Sequence, residues 1–201
     1  MKAAIVAAVL AAAGAFAAPT EVVKPRQNSV GNFYAQATST NNSINGLVLQ
    51  TNGTFFYLGG SGPTTDCPEG LECGEAQDYT VLSVNSTAGT ASLFVDIPGG
   101  QPVYVSRGGF LQYLEAGEVG EFPSGAITTG FNYYPSTTVA GSFNFAATGT
   151  GDFSWVACSL PTGSYAYQVY ANMADVSYGK NCEKIGFDAW TYDGEAVGEY
   201  L

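Results

Sequence analysis

The sequence contains no histidine and little charge of any kind. Without an imidazole there can be no Ser-His-Asp or Cys-His triad, no His-ligated zinc or copper and no histidine general base. Cations are scarcest, with 6 Lys and Arg against 17 Asp and Glu and a net charge of −11. Between Arg26 and Lys180 the sole positive charge is Arg107. Nucleic-acid binding needs clustered Lys and Arg to displace counterions, so nucleic acid is excluded as a partner. Anionic membrane surfaces are disfavoured for the same reason. Long apolar runs are missing too: past residue 18 nothing approaches the roughly 20 apolar residues of a membrane span.

The apolar run that does exist is N-terminal. Lys2 precedes an Ala-rich stretch that continues to Ala18, with an A-x-A site at Ala15-Phe16-Ala17. This is the pattern of a secretory signal peptide over residues 1–17, and it makes the protein extracellular. Residues 18–26, ending "VVKPR", read either as a short propeptide trimmed after Arg26 or as a frayed mature N-terminus. Residues 27–201 are then a single β domain, long enough for one real core. That domain keeps three cations and 16 acids, a net charge of −13. The end, "GEAVGEYL", has no hydrophobic tail, which argues against a glycosylphosphatidylinositol anchor. The segment "DGEAVGEYL" is expected to be loose.

Four cysteines remain, Cys67, Cys73, Cys158 and Cys182. In an oxidising compartment an even count means disulfides, with three possible pairings. Cys67–Cys73 is favoured across "CPEGLEC", where Pro68 and Gly70 let the chain turn back, and this leaves Cys158–Cys182. The spacing is not that of a zinc ribbon, so neither metal nor cofactor is expected. The acidic stretches at 193–195 and 66–75 lack the spacing of a calcium loop. Asn41, Asn52 and Asn85 each open an N-x-[ST] sequon and are candidate glycosylation sites. Asn52-Gly53 also reads as a hairpin turn.

Beyond the signal there is almost no helical period. Short β-branched and aromatic runs recur between Gly, Pro, Asn and Ser clusters, at 31–37, 46–51, 54–59, 79–85, 91–97, 102–106, 109–114, 126–134, 141–146, 153–158, 165–171 and 185–192. Several alternate: Phe143 and Phe145 oppose Ser142 and Asn144, and Leu93, Val95 and Ile97 oppose Ser92 and Asp96. One wet and one dry face is the mark of antiparallel sheet. The expected fold is all-β, a disulfide-stabilised antiparallel β-sandwich, with an irregular β-barrel or β-trefoil as the alternative. The stretch "VDIPGGQPVYVSRGGFLQY" (95–113) has two glycine pairs and an arginine, the ingredients of an anion-binding loop. Its flanks are strands and no helix starts there, so it reads as a strand between two turns. Arg107 should then pair with a carboxylate or cover apolar surface.

With the cysteines paired, the remaining catalytic option is a pair of carboxylates, as in glycosidases. Candidates are Asp96, Glu115, Glu118, Glu121, Asp152, Asp175, Asp188 and Asp193, of which Asp96 and Asp188 lie in apolar strands. On alternating strands such residues usually face solvent, so no catalytic residue is assigned and an enzyme is not expected. Aromatics are plentiful, with 13 Tyr, 12 Phe and 2 Trp. Rings on an outward sheet face can pack against the C–H face of a sugar; otherwise they fill the core. Tyr104, Tyr133 or Tyr134, and Trp190 with Tyr192 beside Asp188, are the candidate carbohydrate contacts.

The segments "FYLGG…CPEGLEC" (56–73), "VDIPGGQPVYVSRGGFLQY" (95–113), "PSGAITTGF" (123–131), "WVACSLPTGSYAYQVYA" (155–171) and "NCEKIGFDA" (181–189) carry a resemblance. In this order they are similar to small secreted proteins of ascomycete fungi labelled IgE-binding or allergen-like cell wall proteins, and more distantly to the phialide-associated cell wall protein PhiA. The resemblance implies a secreted, cell-wall-associated β protein with two disulfides and no established enzymatic role, and offers no catalytic residues to carry over. Cys158 and Cys182 match its best-placed cysteines, although the usual "CP" is here Cys158-Ser159. The expected function is that of a non-enzymatic wall glycoprotein whose partners are wall polysaccharide or other wall proteins. The alternatives are a secreted lectin-like effector that binds host glycan or protein, and a carboxylate-based glycan-active enzyme.

Overall fold

A computed structural model describes residues 30–118, 120–146, 155–161 and 165–201. The signal peptide, the propeptide segment and Asp152 lie outside the described residues. Fourteen strands occur among those described. They are β1 (Val30–Thr38), β2 (Leu49–Asn52), β3 (Phe55–Leu58), β4 (Thr65–Asp66), β5 (Val81–Asn85), β6 (Thr90–Leu93) and β7 (Gln101–Val105). The second half holds β8 (Leu111–Tyr113), β9 (Phe131–Tyr134), β10 (Gly141–Phe145), β11 (Trp155–Ser159), β12 (Tyr167–Ala171), β13 (Cys182–Thr191) and β14 (Glu199–Tyr200). Each of the twelve strand candidates overlaps one of these; only the two-residue strands β4 and β14 were not foreseen.

The sandwich expectation is corrected to a barrel. Nine strands run in the order β1-β5-β6-β7-β8-β3-β12-β11-β13, and β13 pairs back onto β1, which closes the sheet. Tyr34↔Val81 and Tyr34↔Trp190 lie on the two sides of β1, so that strand has no free edge there. Closure passes through a narrow contact between β3 and β8, the single pair Phe55↔Gln112. A barrel wall and a sandwich layer both bury alternate side chains, so periodicity alone could not separate them.

Alternation places the core as expected. Phe143 and Phe145 are buried and Ser142 and Asn144 half-buried along β10. The β9–β10 hairpin leaves the wall to pair with the far half of β13. It brings Tyr133 against Phe33 at 4.3 Å and Phe143 against Trp155 at 5.0 Å. The Trp155 indole N–H is buried, and it donates to the Phe143 carbonyl at 3.0 Å. Tyr133 is therefore a core residue and not a surface ring.

Two further expectations shift. The C-terminal segment is not loose: Tyr200 is buried in the core and β14 pairs with β4. The Gln101 side chain accepts the Tyr200 amide and donates to its carbonyl, both at 2.8 Å. The β2–β3 turn lies one residue later than Asn52-Gly53. Asn52 pairs with Phe55, and Gly53 and Thr54 are the central residues, at φ 52° and 71°. Two positive φ values are what a right-twisted two-residue hairpin demands.

The stretch 95–113 is strand between turns. Gly99 and Gly100 precede β7 with positive φ, and Gly109 closes the Ser106–Gly109 turn into β8. Arg107 is exposed, and its aliphatic stem lies over the Gly125 backbone.

Both disulfides form as favoured. Cys67–Cys73 closes the loop beside β4, and Cys158–Cys182 joins directly opposed residues of β11 and β13.

Candidate functional site

Because the barrel interior is packed, any recognition surface lies on its outside. Two tracts of aromatic rings occupy that outside among the described residues. Around the wall β1 and β3 are four strands apart one way and five the other, so the tracts face opposite sides.

The first tract runs over β8, β3 and β12. Tyr165 stacks on Tyr57 at 4.7 Å, Tyr57 meets Phe55 at 6.4 Å, and Phe55 meets Phe110 edge-on at 5.7 Å. Phe110 then packs on Tyr170 at 4.6 Å, and Tyr170 on Tyr178 at 5.7 Å. All six rings are half-buried. The Tyr165 ring lies on Gly60, where a Cβ would stand 2.1 Å from ring carbons, so only glycine admits it. At the Tyr178 end lies a cavity of about 350 Å³, bounded by Phe110, Tyr170, Tyr178, Asn181 and the Cys158–Cys182 disulfide.

The polar groups that hydrogen-bond within this tract are amides and hydroxyls, while the Asp175 carboxylate lies near Tyr178, and Arg107 and Lys180 flank residues that line the cavity. Gln168 sits between Tyr57 and Cys158 in register and accepts the Tyr170 hydroxyl at 3.2 Å. The Asn181 amide donates to the Ser159 carbonyl at 2.7 Å. The Tyr178 hydroxyl accepts the Met173 amide at 3.1 Å and donates to the Ala171 carbonyl. Burial pushes the phenols of Tyr57, Tyr170 and Tyr178 upward, so all three stay protonated.

The second tract lies over β13, β1 and the flanks of β5 and β6. Trp190 is 40% exposed and stands opposite Tyr34 in register. Tyr34 stacks on Tyr79 at 4.2 Å, Tyr79 meets Tyr192 at 6.4 Å, and Tyr192 meets Phe94 at 6.1 Å. Beside Trp190 a shallow depression of about 520 Å³ is lined by Ser136, Thr137, Thr138, Val139 and Thr191. Here the surrounding side chains are acidic: Asp188 is outward on β13 two residues before Trp190, and Asp193 follows Tyr192. Burial, followed by Tyr192, Tyr34 and the Asp78 carboxylate, pushes the Tyr79 phenol up.

The four candidate sugar contacts therefore part company. Trp190 and Tyr192 share the second tract. Tyr134 is 53% exposed but belongs to the β9–β10 hairpin. Tyr104 is a correction: it is 4% exposed because Phe122, from the loop after β8, packs edge-on against it at 5.8 Å. Tyr34, Tyr79 and Phe94, and the whole first tract, escaped the sequence reading. In "FFYL" (55–58) both phases of the alternation are apolar, so the outward phase could not be chosen. In "YQVYA" (167–171) Gln168 marks the outward phase and could have located Tyr170.

Of the carboxylate candidates, Asp96, Glu115, Glu118, Glu121, Asp175 and Asp193 are exposed. Asp188 is half-buried between Gln36 of β1 and Ser142 of β10. Neither aromatic cavity is lined by Asp or Glu. Among the sequons, Asn52 is exposed at the β2–β3 turn, whereas the Asn41 side-chain amide donates to Glu183 at 2.9 Å. The Asn85 side-chain oxygen Oδ1 accepts the Thr87 and Ala88 amides.

Comparison with known proteins adds two findings. A family model described as "PhiA-like secreted protein" matches residues 33–200, from within β1 to the last residue of β14. An "Uncharacterized secreted protein" of Arthroderma benhamiae is 37% identical over 133 residues, 65% of this chain and 63% of that protein. The chain thus spans somewhat less than two thirds of the length of the curated relative it matches. No solved structure matches it.

Proposed function

From the chain's membership of the PhiA-like secreted protein family, we propose that this secreted protein is a non-enzymatic component of the cell wall that binds neutral wall polysaccharide. The first aromatic tract carries the proposal. Six half-exposed rings in continuous contact, edged by amides and hydroxyls and ending in a cavity, match the two needs of a neutral glycan. Rings take its apolar C–H faces, and uncharged donors and acceptors take its hydroxyls. The non-enzymatic part rests on composition, with no histidine and all four cysteines paired.

The test is depletion of the glycosylated mature protein by insoluble β-glucan, chitin and whole fungal wall. Saturable depletion, reversed by free oligosaccharide, is expected on at least one of them. Tyr57→Ala and Phe110→Ala should each weaken it about tenfold, roughly 1.4 kcal/mol for a central aromatic anchor. A protein found only in culture fluid and depleted by none of these materials would remove the proposal.

A further inference from the structure

The second tract differs from the first in charge, and that difference points to a different ligand. Its five rings, Trp190, Tyr34, Tyr79, Tyr192 and Phe94, are flanked along the chain by Asp78, Asp96, Asp188, Asp193 and Glu195, each within three residues of a ring. No Lys or Arg is next to these rings along the chain. Of the three cations of residues 27–201 only Lys184 is on the outer face of β13, at the opposite end of that strand from Trp190. Arg107 and Lys180 adjoin residues lining the cavity of the first tract, and Lys184 is six residues from Trp190 along β13. At about 3.3 Å per residue that is roughly 20 Å, two Debye lengths at physiological salt. Around Trp190 the field is therefore negative and unscreened by any resident cation.

A neutral glycan gains nothing from such a field, and an anionic one is repelled. A glycan whose sugars carry protonated amines gains on both counts. Its ring faces stack on the aromatics while its ammonium groups meet the carboxylates, and a cation over an aromatic face adds a further attraction. The depression beside Trp190 supplies the hydroxyls of Ser136, Thr137, Thr138 and Thr191 for the sugar's own hydroxyls.

We infer that the outer face of β13 and β1, centred on Trp190 and Tyr34, is a second binding site, specific for a glucosamine polymer such as deacetylated chitin. This goes beyond the neutral-polysaccharide proposal and does not depend on it, since it uses none of the first tract's residues. With both sites occupied, the protein would join two chemically different wall polymers from opposite sides of one barrel.

The probe is a fully deacetylated glucosamine hexamer, compared with its N-acetylated counterpart and with an oligolysine of equal charge. Titration calorimetry reads binding to the full mature protein. Fluorescence adds a site-specific signal, because Trp155 is fully buried and Trp190 exposed. Saturable binding of the glucosamine hexamer with a change in Trp190 emission is expected, weakened by added salt. Trp190→Ala and Tyr34→Ala keep every carboxylate and should each weaken it about tenfold, whereas Tyr57→Ala with Phe110→Ala should leave it intact. Three results would overturn the inference. They are equal binding of the N-acetylated hexamer, equal binding of oligolysine, and glucosamine binding that survives loss of both Trp190 and Tyr34. Absence of binding by the glucosamine hexamer would overturn it as well.

Discussion

Tyr200 is the second-to-last residue, yet it is 2% exposed, and its hydroxyl accepts the Val81 amide at 3.0 Å. Tyr200→Phe keeps the ring and deletes that acceptor, stranding a buried N–H. An unsatisfied buried donor costs about 1–3 kcal/mol. For a domain of this size each kcal/mol moves Tm by roughly 2–4 °C, so Tm should fall by about 2–12 °C. Tyr200→Ala also deletes the ring, which adds about 3–5 kcal/mol for a buried aromatic. The total approaches the whole stability of an ordinary domain, roughly 5–15 kcal/mol. Leu201→Ala is the control: that side chain is half exposed, so a change within about 0.5 kcal/mol is expected. Urea unfolding followed by Trp155 fluorescence gives the free energies, and hydrogen exchange at the Val81 amide locates the loss. Wild-type unfolding and unchanged Val81 protection in Tyr200→Phe would show that the C-terminal strand does not anchor the barrel.

Thr54 is the one non-glycine residue with positive φ among those described, and it is β-branched. Thr54→Asn should stabilise the unglycosylated protein by about 1 kcal/mol, because a branched side chain pays most for that conformation; a lower urea midpoint would contradict this. Burial pushes the Tyr113 phenol up to about 12 from an ordinary value of 10. Its contribution is fully present below pH 10 and is lost as pH rises from there through about 12, because the unfolded chain releases its proton first. Two units correspond to about 3 kcal/mol, so stability should fall steeply over that window. The Tyr113 hydroxyl is buried near the Thr54 backbone and the Thr51 side chain but makes no hydrogen bond of good geometry with either, so Tyr113→Phe should be neutral or stabilising at pH 7 and should flatten the alkaline loss. Equal alkaline slopes in the two proteins would count against this origin. Peptide mapping should find glycan on Asn52, exposed at its turn, and little on Asn41, whose amide is held by Glu183. Full occupancy of Asn41 would reverse that order.

Glu183 shows how the Asn41 loop is held to the end of β13. Its carboxylate accepts the Asn41 amide and the Ser39 hydroxyl, at 2.9 and 2.8 Å, and these bonds lower its pKa, Asn41 most. The site is partly open to solvent, so the contact orders the loop more than it stabilises the domain.

The chain by itself determined whatever depends on neighbours in sequence. Strand positions follow from alternation along "GSFNF", the turns around β7 from paired glycines, and the Cys67–Cys73 bridge from five intervening residues that proline and glycine can bend. The charge deficit, on which the expectation of no nucleic-acid partner rests, is a matter of counting. Tertiary structure decided what depends on distant partners. Closure into a barrel needs Tyr34 of β1 to meet Trp190 of β13, and no local pattern encodes a pairing across more than 150 residues. Tyr104 alternates like a surface ring, yet Phe122 from a later loop covers it. The polar tail reads as loose until distant Gln101 accepts the Tyr200 amide and donates to its carbonyl. The two aromatic tracts are assembled by register from at least three strands or strand flanks each. A strand's own sequence reports which side chains alternate, but only its neighbours decide which of them form a surface.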